Sequence, residues 1–425
     1  MKRFWIWLAV LAAAALLIAG CGEGKEPEPS ELSGTITVWA FNDEFDQMIP
    51  MFEEAYPNIK VEFTKIPSDE IVTKLEAVLE TGVGVPDVFV GEQAWVKRWI
   101  DMDVWENLSA EPYNAEELAK DHFEYVKDYV RDKDGNLRAL TWQATPGAVF
   151  YRRSLAKEAF GTDDPEEISA MMKDMDSFIE MGRTLKEKTG AALVPGVNDI
   201  QRLFFFNKKQ PWVVDGKLVI EDIVLEFLDV AKTLRDEGLD GKLDMWTDEW
   251  FTGMNGNVFS YVLPTWGLFF VLEPNAEEVF GDWAAAHGPA SYMWGGTWLG
   301  IAKASQNKAL AWEFVKYITT NKEFLKKWAL ESGDFVSDMA VVEEIVGDYS
   351  REFLGGQNHY AYFYEEAKRL GASGWAERVT AYDEDIQNSF LEALQEYVVG
   401  NKTREEALEY FKELVKTQYP EITVE

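Results

Sequence analysis

The chain has little cysteine, little histidine and a deficit of basic residues. A single cysteine in 425 residues, Cys21, excludes any intramolecular disulfide, so the fold must be held by its core. The three histidines, His122, His287 and His359, stand apart with no second ligand at metal spacing and read as ordinary core or surface residues. Lys and Arg number 41 against 75 Asp and Glu, a formal charge of −34. Such a charge repels nucleic acid and anionic headgroups, so no nucleic acid is expected as a partner. The plain reading of the acidity is solubility. Beyond the first 20 residues no apolar run is long enough to span a bilayer. There is also no Gly-x-Ser-x-Gly elbow, no His-Glu-x-x-His helix and no Walker loop. No catalytic residue, metal or cofactor is expected.

What is present begins at the N-terminus. Met1-Lys2-Arg3 precedes an unbroken apolar run from Phe4 to Ala19, closed by Gly20-Cys21. A basic start, an apolar core and small residues at its end mark a secretory signal over residues 1–20. The run falls below the roughly 18–20 residues that cross a bilayer comfortably. The ending Leu17-Ile18-Ala19-Gly20-Cys21 resembles the bacterial lipoprotein signal, although Ile18 stands where leucine is usual. That resemblance implies lipidation of Cys21 (palmitate among its acyl chains), an extracytoplasmic location and a membrane partner reached through the lipid anchor only. The alternatives are a transmembrane anchor, or a signal cut elsewhere. Residues 21–34, with four Glu and two Pro between Gly22 and Gly34, read as a disordered tether.

Removing residues 1–20 leaves 405 residues, 39 basic and 75 acidic, a net charge of −36. That length exceeds what one hydrophobic core serves, so two lobes are expected. Aromatic residues are abundant: 17 Trp, 16 Tyr and 26 Phe. Most of them belong in a core, and in an exported acidic protein the remainder suits stacking on the apolar faces of sugar rings.

Thr35-Ile-Thr-Val-Trp39 reads as a strand, and Glu44–Tyr56 as a helix either kinked at Pro50 or starting near it. Ile59–Ile66 alternates as a strand, and Ser68 is the expected N-cap of a helix over 69–80. Asp87-Val-Phe-Val90 is a third, apolar strand after a Gly82–Pro86 turn. Strands alternating with helices imply a doubly wound, mostly parallel sheet, in which ligands sit beyond the carboxyl ends of the strands. That rule selects Ala40–Asp43, Gly91–Gln93 and Thr141–Gln143. Asp132–Asn136 has the wrong residues for a calcium loop and reads as a tight turn into a strand over 137–142. Helical spacing covers 153–160, 174–189, 221–237, 308–321 and 402–416. Two Gly- and Trp-rich stretches, 246–266 and 283–298, interrupt them. There is no internal repeat.

Five separated segments, each weak alone, together resemble the extracellular solute-binding proteins of bacterial ABC importers, in the maltose-binding-protein-like branch that takes sugars. They are Thr35–Trp39 with Met51–Val61; Gly82–Phe89 with its PDVF string; Leu140–Phe160; Met254–Trp266; and Gly295–Ala302 running on to Ala309–Tyr317. Tyr151-Arg152-Arg153 departs from the tyrosine, asparagine and lysine usual at that place. The resemblance implies a two-lobed periplasmic-binding-protein-like α/β fold, doubly wound sheets with a ligand cleft between the lobes. Lobe 1 is expected over 35–142 plus 295–325 and lobe 2 over 143–294 plus 326–425, with crossings near 141–144, 294–300 and 323–333. It also implies a monomer that captures a sugar or oligosaccharide and delivers it to the transmembrane subunits of an ABC permease.

Candidate ligand contacts follow, each with a plainer role beside it. Trp39, Asn42 and Asp43 follow or end the first strand; the plainer roles are a sheet tryptophan and a helix cap. Glu92 and Gln93 lie just past the third strand, where burial without a polar ligand is costly. Trp142 sits at the first crossing and serves equally as hinge packing. Trp266 after Leu263-Pro264-Thr265, Trp298 beside Gly295-Gly296, and Trp375 in a glycine-rich loop are candidate stacking faces, with core packing as the alternative. A secreted glycoside hydrolase or a protein-binding surface lipoprotein are the competing functional classes. With 75 acidic residues, a carboxylate pair at hydrolase spacing carries little weight.

Overall fold

The computed structural model describes residues 32–371 and 374–424. The expected signal peptide, Cys21 and the tether up to residue 31 lie outside the described residues. The expected tether ends earlier than residue 34: Leu32 already packs on the core and the first strand begins at Gly34.

Among the described residues the strands are β1 (Gly34–Ala40), β2 (Ile59–Lys65), β3 (Val88–Glu92), β4 (Gly147–Arg152), β5 (Val213–Val214), β6 (Lys217–Leu218), β7 (Ser260–Pro264), β8 (Trp283–Ala286) and β9 (Thr297–Ile301). One sheet has the order β2-β1-β3-β9. In it β1 pairs in parallel with β2 and β3, while β9 runs antiparallel to β3. A second sheet has the order β7-β4-β8, both pairings antiparallel; β5 and β6 form a short hairpin. In β1 the period of two buries Ile36, Val38 and Ala40 and leaves Thr37 and Trp39 half-buried. In β4, β7, β8 and β9 every residue is buried, as expected of strands covered on both faces by helices.

Most helices fall within two residues of their expected bounds: Arg153–Phe160, Met175–Thr189, Asp222–Asp236, Lys308–Thr320 and Arg404–Gln418. Of the two readings offered for the helix at Pro50, the structure has the one that runs through the proline, Phe45–Ala55. Two expectations are corrected. Ser68 is the first residue of its helix, not the cap, and its side chain caps nothing; Pro67 holds the cap position. The strand expected over 137–142 reduces to isolated bridges, Leu137 with Arg131 and Leu140 with Leu299.

That segment is instead the middle strip of a three-stranded crossing. On one side Leu140 and Leu299 exchange backbone hydrogen bonds, and Trp294 N donates to Thr145 O. On the other side Ala144 N donates to Phe335 O and Ser337 N to Trp142 O. The third crossing therefore lies at 334–338, just past helix Lys322–Ser332, rather than within 323–333. Among the described residues no helix is long and apolar enough to cross a membrane.

Asp87 ties the first sheet together. Its carboxylate accepts from Thr37 N (2.9 Å) and Thr37 Oγ1 (3.1 Å) of β1, and from Ser305 Oγ (2.6 Å) and Asn307 Nδ2 (3.3 Å) after β9. Hydrogen bonds to a charged group contribute more than neutral ones, and here one group serves strand and loop at once. Asp87→Ala is expected to cost about 3 kcal/mol of unfolding free energy, with Asp87→Asn recovering part of it, as read from urea denaturation midpoints.

Candidate ligand-binding cleft

The carboxyl ends of β1 and β3 and the amino end of the antiparallel β9 share one edge of the first sheet, so the residues just past them converge. Phe41, Asn42, Asp43 and Glu44 follow β1, Glu92 ends β3, and Gly295–Thr297 leads into β9. Across from them stand Trp266 and Phe270 just past β7, Trp246, and Gln143 from the crossing segment. Together they line an open cleft of about 330 Å³.

One wall is aromatic. Trp266 lies nearly parallel to Trp246 (13° between planes, centroids 6.3 Å apart), and both meet Trp294 edge-on. Trp266 is fixed by its own Nε1, which donates to Trp294 O at 2.9 Å. Gly295, at φ +76°, lets that indole approach: a Cβ there would lie 2.7 Å from the Trp266 Nε1. Trp246 is 49% exposed and Phe270 44%, which leaves apolar faces open to the cleft.

The other wall is polar and incompletely satisfied. Asn42 donates from Nδ2 to Thr297 Oγ1 (3.0 Å), but among the described residues its buried Oδ1 has no partner. Gln143 is buried, and among the described residues its side-chain amide makes no hydrogen bond. Asp43 is exposed and pairs with Lys65. Burial pushes the carboxyl groups of Glu44 and Glu92 each up to about 7. For Glu92, a hydrogen bond from Ala94 N (2.7 Å) and the Arg202 charge pull downward, while Glu384 adds to the rise.

The sequence-selected residues divide sharply. Asn42, Asp43, Glu92 and Trp266 come together in the cleft. Gln93 lies behind it: its Oε1 accepts from Gly295 N at 2.7 Å, and it lines a narrower cavity next door. Trp375 also faces that cavity, held between Tyr129 (4.8 Å) and Phe206 (4.4 Å). Trp39 is half-buried in β1 and does not line the cleft. Trp142 packs at the crossing, the plainer of its two expected roles, and Trp298 is a packing residue rather than a stacking face. Both are almost wholly buried: Trp142 Nε1 donates to Asp334 and Trp298 Nε1 to Val126 O.

Sequence reasoning passed over Glu44, Gln143, Trp246 and Phe270 as contacts. Gln143 was within reach, since it stands in a segment already selected by the strand-end rule. Trp246 adopts φ +71°, uncommon for a bulky residue and visible only in three dimensions. His122 and His359 lie in the core, where burial lowers both to about 3, and His287 contacts Glu366.

A carboxyl whose folded pKa is raised contributes stability below its unfolded value and loses it as pH rises through the folded value. For Glu92 that window runs from 4.5 to about 7. Glu92→Gln is therefore expected to gain about 1–2 kcal/mol relative to the natural protein between pH 4.5 and 7.5, measured by denaturation at each pH.

The model for bacterial extracellular solute-binding proteins matches residues 47–337, more than half of the chain. The sequence is similar to the maltotriose-binding protein of Pyrococcus abyssi (strain GE5 / Orsay), 22% identical over 416 residues, covering 90% of this chain and 83% of that protein. The fold is similar to the crystal structure of an extracellular solute-binding protein of family 1, with TM-score 0.77 and 21% identity, covering 89% of this chain and 99% of that one. It is also similar to the ABC-transporter-associated binding protein from B. animalis subsp. lactis Bl-04, solved in complex with β-1,6-galactobiose. There the TM-score is 0.68 with 21% identity, covering 93% of this chain and 100% of that one. The sheets and crossing segments form the two-lobed α/β fold of these structures, and the chain belongs to the bacterial extracellular solute-binding proteins.

Proposed function

We propose that this protein captures a sugar or oligosaccharide in the cleft and delivers it to an ABC permease, binding its ligand without transforming it. The observation that carries this reading is the pairing of an open Trp246–Trp266 wall with the unsatisfied Asn42 Oδ1 and the free Gln143 amide. A sugar ring has apolar C–H faces and a hydroxyl rim, so it fits between such walls. A relative named for maltotriose and a structural neighbour in complex with β-1,6-galactobiose support the same class.

In this reading the first lobe spans residues 35–142 plus about 295–333, because helix Lys322–Ser332 packs on helix Lys308–Thr320. The second lobe is the remainder, and hinge motion at the crossings opens and closes the cleft. Asn42, Asp43, Glu44, Glu92, Gln143, Trp246 and Trp266 contact the ligand, while Gln93 holds Gly295 in place. Trp39, Trp142, Trp298 and Trp375 serve packing. The monomer is anchored by lipid at Cys21 on the extracytoplasmic face, which holds the receptor near its permease.

Isothermal titration against a panel of mono- to tetrasaccharides is expected to give tight binding of at least one, with no cleavage product; hydrolysis of a bound glycoside contradicts the receptor reading. Trp266→Ala is expected to weaken that binding about tenfold while the melting temperature holds. Trp298→Ala is expected to lower the melting temperature by several degrees, as loss of a buried indole does. Equal effects of the two on affinity contradict the assignment.

A further inference from the structure

The charged groups that line the cleft are all of one sign. Asp43, Glu44 and Glu92 face it, and among the described residues no lysine, arginine or histidine does. Lys65 pairs with the exposed Asp43, while Glu44 is buried, Glu92 is half-buried, and neither has an ion pair among the described residues. Arg202 acts on Glu92 only from behind the Gln93–Gly295 hydrogen bond. Its guanidinium lies 4.5 Å over the Trp294 ring, it makes no ion pair among the described residues, and the Glu384 carboxylate acts on Glu92 more strongly. Two further polar groups on this wall are open. Gln143 is 4% exposed, lines the cleft, and among the described residues its side-chain amide has no partner; the buried Asn42 Oδ1 has none either.

A wall rich in open acceptors favours a ligand that brings donors. A hydroxyl offers one O–H, whereas an ammonium offers three N–H and the charge that buried carboxylates lack. We propose that the cleft selects an amino sugar, its protonated amine on the wall of Glu44 and Glu92 and its ring against Trp266. The inference rests on the sugar-binding reading and narrows it to cationic sugars. Burial lifts both carboxyls to about 7, and a positive charge placed against them offsets that cost. The opposite wall suits the same ligand, since the faces of Trp246 and Trp266 attract a cation as well as a sugar ring. A chain charge of −34 also concentrates cationic solutes at the surface and repels anionic ones.

The test is isothermal titration of the mature protein at neutral pH with cellobiose, N,N′-diacetylchitobiose and chitobiose. These disaccharides share rings and linkage and differ only in carrying a hydroxyl, an acetamide or an amine beside the anomeric carbon. The amine is expected to bind about tenfold to a hundredfold more tightly than the hydroxyl. The acetamide, which keeps an N–H without the charge, is expected to gain nothing over the hydroxyl. Glu92→Gln, the variant expected above to gain stability, should cut the preference for amine over hydroxyl about tenfold. Its melting curve reports whether it folds, and the comparison within the natural protein does not depend on it. Hydroxyl or acetamide binding as tightly as the amine overturns this inference alone, as does a Glu92→Gln effect equal for amine and hydroxyl. Binding of none of the three overturns it too, and the wider saccharide panel then decides the sugar-binding reading separately. Putrescine, an amine without a ring, is expected not to bind; binding as tight as that of chitobiose contradicts both.

Discussion

The rest of the structure depends on a buried stretch of backbone having to find partners. Residues Leu140–Pro146 leave the first sheet and enter the second through the interior, and every one of them is buried. Buried amides and carbonyls without acceptors and donors cost too much to persist, so two further chain segments must run alongside. Segments 293–299 and 335–337 do so, one on each edge. Asp334 secures the second of these by accepting from both Trp142 Nε1 (3.0 Å) and Trp328 Nε1 (3.2 Å). The same burial that makes those hydrogen bonds strong lifts the Asp334 carboxyl to about 6.

The position of the cleft follows from that ribbon. A three-stranded crossing between two sheets leaves a groove beside it, bordered by the strand ends of the first sheet and by the turn after β7. Gln143 and Gly295–Thr297 belong to the ribbon and line the groove at once, so the element that joins the two sheets also presents polar groups to the groove. Any hinge motion about the ribbon would change the distance between the polar and aromatic walls.

Much of this was legible in the sequence. Alternation in β1 and β2, the apolar PDVF strand and the helical spacing located three of the four strands of the first sheet and five long helices. The strand-end rule placed Asn42, Asp43 and Glu92 together, because backbone topology alone fixes where such residues go. Tryptophans were the failure. Trp142, Trp298 and Trp266 look alike in sequence, each beside small or polar neighbours, and only packing separates them. The indoles of Trp142 and Trp298 find interior acceptors and are covered, whereas Trp266 donates to Trp294 O along one edge and keeps a face open. Arg202 carried no sequence signal either, since an unpaired arginine is defined by what does not surround it.

The proposed function puts the ligand between the Trp246–Trp266 wall and the Asn42–Gln143 wall. A crystal structure of the protein with its tightest-binding oligosaccharide tests this most directly. The expected result is a sugar ring stacked within about 4 Å of Trp266, with hydroxyls on Asn42 Oδ1 and the Gln143 amide. A sugar bound elsewhere on the molecule, with this cleft holding only solvent, would contradict it.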